Sequence, residues 1–145
     1  MEIRIKTFNQ LSLSELYTIL KLRAEVFVVE QNCVYQDIDG KDQKALHVIG
    51  EANGEIVAYT RCFNKGFYFD EASIGRVLVK QEHRKYGYGH QIMTASLQAI
   101  KDRFNTEHIK LSAQQYLMKF YESHGFTSLG DGYLEDGIPH IAMKR

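Results

Sequence analysis

The stretch Val77-Leu78-Val79-Lys80-Gln81-Glu82-His83-Arg84-Lys85-Tyr86-Gly87-Tyr88-Gly89-His90 constrains the fold of this chain more than any other. An apolar strand runs into a basic turn with two glycines, after which Met93, Leu97, Ile100 and Phe104, with Ile92 and Ala99 beside them, recur at helical spacing. A strand, a glycine turn and a helix start together build an anion site. The glycines allow close backbone approach, successive N–H groups converge, and the helix dipole favours negative charge by roughly 0.3–1 kcal/mol. A P-loop would need G-x-x-x-x-G-K-[ST], and a dinucleotide fingerprint would need a third glycine where Ile92 stands. The alternative is that Gly87 and Gly89 only shape a strand-to-helix turn.

The other segments supply a frame for this turn. Ile3 and Ile5 alternate with Arg4 and Lys6, and Thr7 continues the Ile face, which predicts a first strand. Ser12 with Glu15 forms a capping box and Leu11 with Leu16 a hydrophobic staple; Leu13, Leu16, Tyr17, Leu20, Ala24 and Phe27 then carry a helix toward Val28. Residues 33–44, with Asp37, Asp39, Gly40 and Asp42, read as a solvated surface loop whose acids do not follow the EF-hand order. Runs at 46–49 and 56–60 flank Asn53-Gly54, the strongest short hairpin signal, and a third run covers 74–79. Residues 108–111 read as a strand. Leu117, Phe120, Tyr121 and His124 form a helical face ended by Gly125, and 126–129 and 138–143 are strands joined by a connection over 130–137. This order predicts an α/β fold with a mixed, mostly antiparallel sheet flanked by helices, in one domain spanning 1–145.

Composition narrows the partners. Eighteen Lys and Arg balance eighteen Asp and Glu, so no overall field draws the chain to nucleic acid or to an anionic membrane, and neither is expected as a partner. Two cysteines, Cys33 and Cys62, are too few for a disulfide framework and lack metal-ligand spacing, so reduced thiols and no metal are expected. The start lacks the apolar core of a signal peptide, and no apolar run approaches the roughly 18 residues of a membrane span, which points to a cytoplasmic protein.

Arg84-Lys85-Tyr86-Gly87-Tyr88-Gly89 resembles the pyrophosphate-binding motif [QR]-x-x-G-x-[GA] of the GNAT superfamily of N-acyltransferases, without a gap. Phe120-Tyr121-Glu122-Ser123-His124-Gly125-Phe126 is similar to that family's F-Y-x-x-x-G-F segment. Leu22-Arg23, the run 26–31, Cys33, Tyr35 and Asp39, and the run 137–141 resemble its ElaA-like branch, so the likeness covers nearly the whole chain. It implies acetyl-CoA as co-substrate, with the pyrophosphate on the amides of 84–89 and the pantetheine laid like an added strand along Val77, Leu78 and Val79, between splayed central strands. Gln114 is implied as a further contact to the pantetheine arm. A small-molecule or peptide amine is the implied acceptor, and the sequence leaves a homodimer open.

For catalysis, Tyr121 is implied at the CoA sulfur, where it would protonate or hydrogen-bond the departing thiolate. A phenol near pKa 10 is about 1.5 units less acidic than a thiol near 8.5, so full transfer is roughly 2 kcal/mol uphill unless the site helps. An alkyl amine must lose a proton before it attacks. Glu30 and His140 are the candidate bases, with a solvated role as the alternative for each, while His47, between apolar strand residues, reads as a hydrogen-bonded core histidine. His90 and His124, with the remaining histidines, read as solvated or capping. Arg23 and Arg61 could bind an acidic acceptor or form surface ion pairs. A ping-pong route through Cys33 lacks a His and Asx order to support it. The rival functions are a non-catalytic acyl-CoA sensor and a homodimeric interaction domain.

Overall fold

The computed structural model describes all residues 1–145, and its seven strands form one sheet. In chain order these are β1 (Glu2–Thr7), β2 (Leu46–Ala52), β3 (Glu55–Phe63), β4 (Ala72–Val79), β5 (Ile109–Gln114), β6 (Thr127–Glu135) and β7 (Ile138–Lys144). The spatial order is β1-β2-β3-β4-β5-β7-β6, and β4–β5 is the parallel pair in an otherwise antiparallel sheet. Helix α1 (Leu13–Arg23) covers one face, while α2 (Tyr88–Phe104) and the short α3 (Met118–Glu122) cover the other. No helix is long and apolar enough to cross a membrane.

Local chemistry explains most element boundaries. The Ser12 hydroxyl accepts from the Glu15 amide at 3.0 Å and Glu15 accepts from the Ser12 amide at 2.8 Å, a complete capping box at the start of α1. Asn53 and Gly54 take φ of 52° and 77°, as the two-residue turn between β2 and β3 requires. Two boundaries differ from the sequence reading. β6 runs on to Glu135 because an irregularity between Leu129 and Tyr133 restores its register with β7, so only Asp136-Gly137 makes the turn. The buried side of α1 is Ile19, Leu22 and Arg23, not the apolar stripe, which leaves Leu13 and Tyr17 exposed.

The larger correction concerns residues 33–44. They are not a solvated loop: Asp37 and Asp42 are buried, whereas Val34 and Ile38 face solvent. Arg23 and Arg61 are not surface ion-pair residues either, since both are buried. Arg23 donates to Asp37 at 3.0 Å and Asp42 at 2.7 Å, and Arg61 grips Asp39 with two 2.8 Å bonds and reaches Asp42 at 3.1 Å. Hydropathy alone could not see this, because each acid is buried only together with its arginine. His47 does sit in the core, bonded to the Tyr59 hydroxyl at 2.6 Å and the Asp42 carbonyl at 3.0 Å.

These groups set an acid limit on stability. Burial holds His47 below its ordinary range, so the folded chain resists a proton that the unfolded chain takes up near pH 6.5. Burial alone would raise Asp39, but the Arg61 hydrogen bonds and charge, with the Lys41 amide and Arg76, pull it down to about 2. The His47 contribution is therefore complete above about pH 6.5 and declines below it. The Asp39 contribution is present above about pH 4 and is lost as pH falls toward 2. Thermal scans are expected to show a flat Tm above pH 7 and two successive declines on acidification.

Candidate functional site

The site begins where the sheet opens. β4 and β5 pair only through Ala72–Ile109 and Ser73–Lys110, so from Ile74 onward the two strands part. Within the opening lies a bulge that the sequence did not announce. Arg61 pairs with Gly75 and Tyr59 with Leu78, so Thr60 alone faces both Arg76 and Val77, and Arg76 adopts φ 50°. The bulge swaps the faces of the strand: Ala72 and Ile74 enter the core under α2, Leu78 enters the core under α1, and Val77 and Val79 turn toward the α2 side. Backbone groups of this segment that point away from β3 have no strand to pair with, which makes an edge for β-augmentation inside the sheet.

At the end of β4 the chain makes a 3-10 turn, Gln81–Tyr86, and Gly87 then takes φ 74° to start α2. No side chain caps α2, so the amides of its first turn have no side-chain partner at the helix start. A Cβ on Gly89 would lie 3.5 Å from the Phe120 ring and 3.9 Å from Val79, so this glycine keeps open the space where β4, α2 and α3 meet. Lys85, Tyr86 and Tyr88 lie on the same turn, where Tyr86 and Tyr88 pack ring to ring at 5.4 Å. Arg84 is not free: it donates to the Val79 carbonyl at 2.9 Å and grips the Glu30 carboxylate at 2.6 and 2.8 Å.

The two sequence motifs meet through α3. Phe120 lies under Gly89, and His90 Nδ1 is 2.9 Å from His124 Nε2, so these two histidines, His90 exposed and His124 half-buried, also contact each other. Tyr121 is buried with its ring edge-on to Phe120 and Phe126. Its hydroxyl makes no hydrogen bond and is not among the sealed, unpartnered polar atoms, which are Arg4 Nε, Arg61 Nε and Ser73 Oγ, so it keeps an opening. Burial, with a smaller contribution from Tyr116, pushes this phenol above its ordinary range, and it stays protonated.

Ser112 and Gln114 lie on the opposite face of β5 from Leu111 and Ala113, which join the core under α2. Gln114 pairs in register with His140 and accepts from Gln31 at 3.2 Å. Gln31 follows a π-helical stretch, Ala24–Glu30, that extends α1; such stretches are rare and concentrate at functional sites. Cys33 donates to the Asp136 carbonyl at 3.3 Å, tying segment 31–36 to the β6–β7 hairpin. His140 is buried, bonded through Nδ1 to the Ile138 carbonyl at 2.7 Å, with Nε2 3.3 Å from Glu135. Glu30 and His140 thus end in different settings, one saturated by an arginine and the other buried on β7, one strand over from the β5 side of the opening. Sequence reasoning gave no functional role to Gln31, Ser112, Tyr133 or Glu135; the last three meet through strand register, and Gln31 reaches Gln114 from the end of the π-helical stretch.

Residues 11–145 match the model of the acetyltransferase (GNAT) domain. The chain is 43% identical to Protein ElaA of Escherichia coli over 139 residues, covering 94% of this chain and 91% of that one. The crystal structure of Escherichia coli ElaA superposes with a TM-score of 0.92 at 41% identity, over 100% of this chain and 99% of that one. An acyl-CoA N-acyltransferase from Pseudomonas aeruginosa superposes with a TM-score of 0.93 at 39% identity, with the same coverage.

Proposed function

The chain belongs to the GNAT acetyltransferase family, in its ElaA-like branch, and from that membership we propose that it moves an acetyl group from acetyl-CoA to a primary amine by direct attack in a ternary complex. The observation that carries this reading is the parting of β4 from β5 directly beside the uncapped start of α2. Acetyl-CoA supplies an activated thioester. The amides of the Arg84–Gly89 turn and of the first turn of α2 receive its pyrophosphate, and the unpaired edge of Val77–Val79 receives its pantetheine, with Gln114 across the opening. Backbone N–H groups at the Arg76–Val77 bulge stabilise the developing oxyanion, and the Tyr121 hydroxyl meets the departing sulfur.

Glu30 and His140 divide on geometry. The carboxylate of Glu30 is engaged on both oxygens by Arg84, which supports a role in holding the turn, whereas His140 lies beside the β5 edge of the cleft and is the better base. A protonated alkyl amine outnumbers its free base by about 2,500 to 1 at pH 7, so a base on that side has work to do.

Calorimetric titration with acetyl-CoA tests the site. Wild-type protein is expected to bind, and Gly89→Val to lose most of the affinity while keeping its Tm within a few degrees, because the new side chain fills the space between Phe120 and Val79. Unchanged binding by a folded Gly89→Val protein would refute the assignment of this turn.

A further inference from the structure

We infer that Glu135 is the positioning residue of a proton-accepting pair with His140, and that Ser112 and Tyr133 hold Glu135 in that role. The inference rests on the proposed function and deepens it on the acceptor side of the cleft.

A backbone carbonyl can only accept, so the 2.7 Å contact between His140 Nδ1 and the Ile138 carbonyl requires the proton to sit on Nδ1. The neutral ring therefore carries its lone pair on Nε2. That nitrogen is 3.3 Å from Glu135 Oε2, a contact that turns attractive when Nε2 gains a proton. The other carboxylate oxygen is fixed independently. Ser112 donates to Glu135 Oε1 at 3.3 Å, which spends its one proton, so Tyr133, whose oxygen is 2.5 Å from Ser112 Oγ, must donate to Ser112. The chain of donors runs Tyr133 to Ser112 to Glu135 and ends on the carboxylate, leaving Oε2 for His140.

Register explains why four residues so far apart in sequence meet. Gln114 pairs with His140 and His140 with Tyr133, so Ser112, His140, Tyr133 and Glu135 share one face of β5, β7 and β6, which the core under α2 does not use. The titratable side chains facing His140 are Glu135 and Tyr133. On the β5 side Gln114 is neutral, and neutral Gln115 donates to the His140 carbonyl at 3.2 Å. Arg23, Arg61, Arg76 and Arg84 are bound to Asp37, Asp39, Asp42 or Glu30. An anionic acceptor would therefore find no free guanidinium among them, while an alkylammonium finds a base backed by a carboxylate.

The step balances. The ammonium of the acceptor gives one proton to His140 Nε2, and Glu135 neutralises the imidazolium. The freed nitrogen lone pair forms the C–N bond, the C–S bond breaks with its electron pair on sulfur, and the second N–H proton completes the thiol. His140 returns its proton to water past Glu135, which is half exposed.

Ring ¹⁵N NMR of His140 and single-turnover kinetics with a primary alkyl amine test the pair in the full chain. The neutral ring is expected to be the Nδ1–H tautomer, and the single-turnover rate is expected to fall at least about tenfold in Glu135→Gln at unchanged acetyl-CoA affinity and to recover in Glu135→Asp. A Glu135→Gln protein that keeps its Tm and its acetyl-CoA affinity but shows an unaltered single-turnover rate, or an Nε2–H tautomer in the wild type, would overturn the inference and leave the proposed function standing. Failure of the wild type to bind acetyl-CoA would overturn the function without touching the pair.

Discussion

Replacing Arg23 with alanine is expected to lower stability by about 3–5 kcal/mol, the usual cost of removing one partner from a buried ion pair. The guanidinium is 1% exposed and serves three acceptors: Asp37 Oδ2 at 3.0 Å, Asp42 Oδ1 at 2.7 Å and the Asp37 carbonyl at 3.0 Å. Arg61 and Arg76 also contact these acids, but three arginines face three aspartates, so losing one leaves a net buried negative charge. Arg23→Lys is expected to recover only part of the loss, because one ammonium cannot reproduce the planar fork that reaches both acids. Urea denaturation measures this as a lower midpoint at unchanged slope. A loss below about 1 kcal/mol for Arg23→Ala would mean that the cluster behaves like exposed pairs. The same cluster anchors Arg76, the left-handed residue of the β4 bulge, through Asp37 at 2.7 Å, so it links core stability to the geometry of the cleft.

Tyr121→Phe is expected to reduce kcat by about 10²-fold, at the low end of what a general acid supplies and similar to losing one oxyanion donor. Burial raises the phenol and thereby widens its mismatch with a thiol, which favours a strong hydrogen bond to the departing thiolate over full proton transfer. The ring packs against Phe120 and Phe126 and is kept in the variant, so Tm and acetyl-CoA affinity are expected to change little. Single-turnover thiol release isolates the chemical step. A wild-type rate in the folded variant would make Tyr121 a core residue alone.

The succession of strands and helices along the chain, the hairpin at Asn53-Gly54 and the turn at Arg84–Gly89 were legible because each is written in adjacent residues with a known local preference. Three features were not. The bulge occurs at Arg76 rather than at a glycine, so nothing local marks it, and the partner that holds the Arg76 side chain, Asp37, lies 39 positions away. The buried arginines and aspartates violate the rule that charges stay outside, and they do so as a charge-balanced cluster that only the tertiary fold assembles. The acceptor-side residues Ser112, Tyr133 and Glu135 come together by cross-strand register, to which β6 contributes a stretch that reads as a connection because it holds Gly130 and Gly132. Glu30 and His140 were both legible as candidates, and only their partners separate them.

The measurement that bears most directly on the function is acetyl transfer itself: the protein with acetyl-CoA and a panel of primary alkyl amines, free thiol and acetylated product followed together by absorbance and mass spectrometry. At least one amine is expected to yield N-acetyl product and thiol in equal amounts, at a rate that Tyr121→Phe and Gly89→Val both reduce. Acetyl-CoA binding without thiol or product from any amine would contradict the proposed activity and leave a cofactor-binding module in its place.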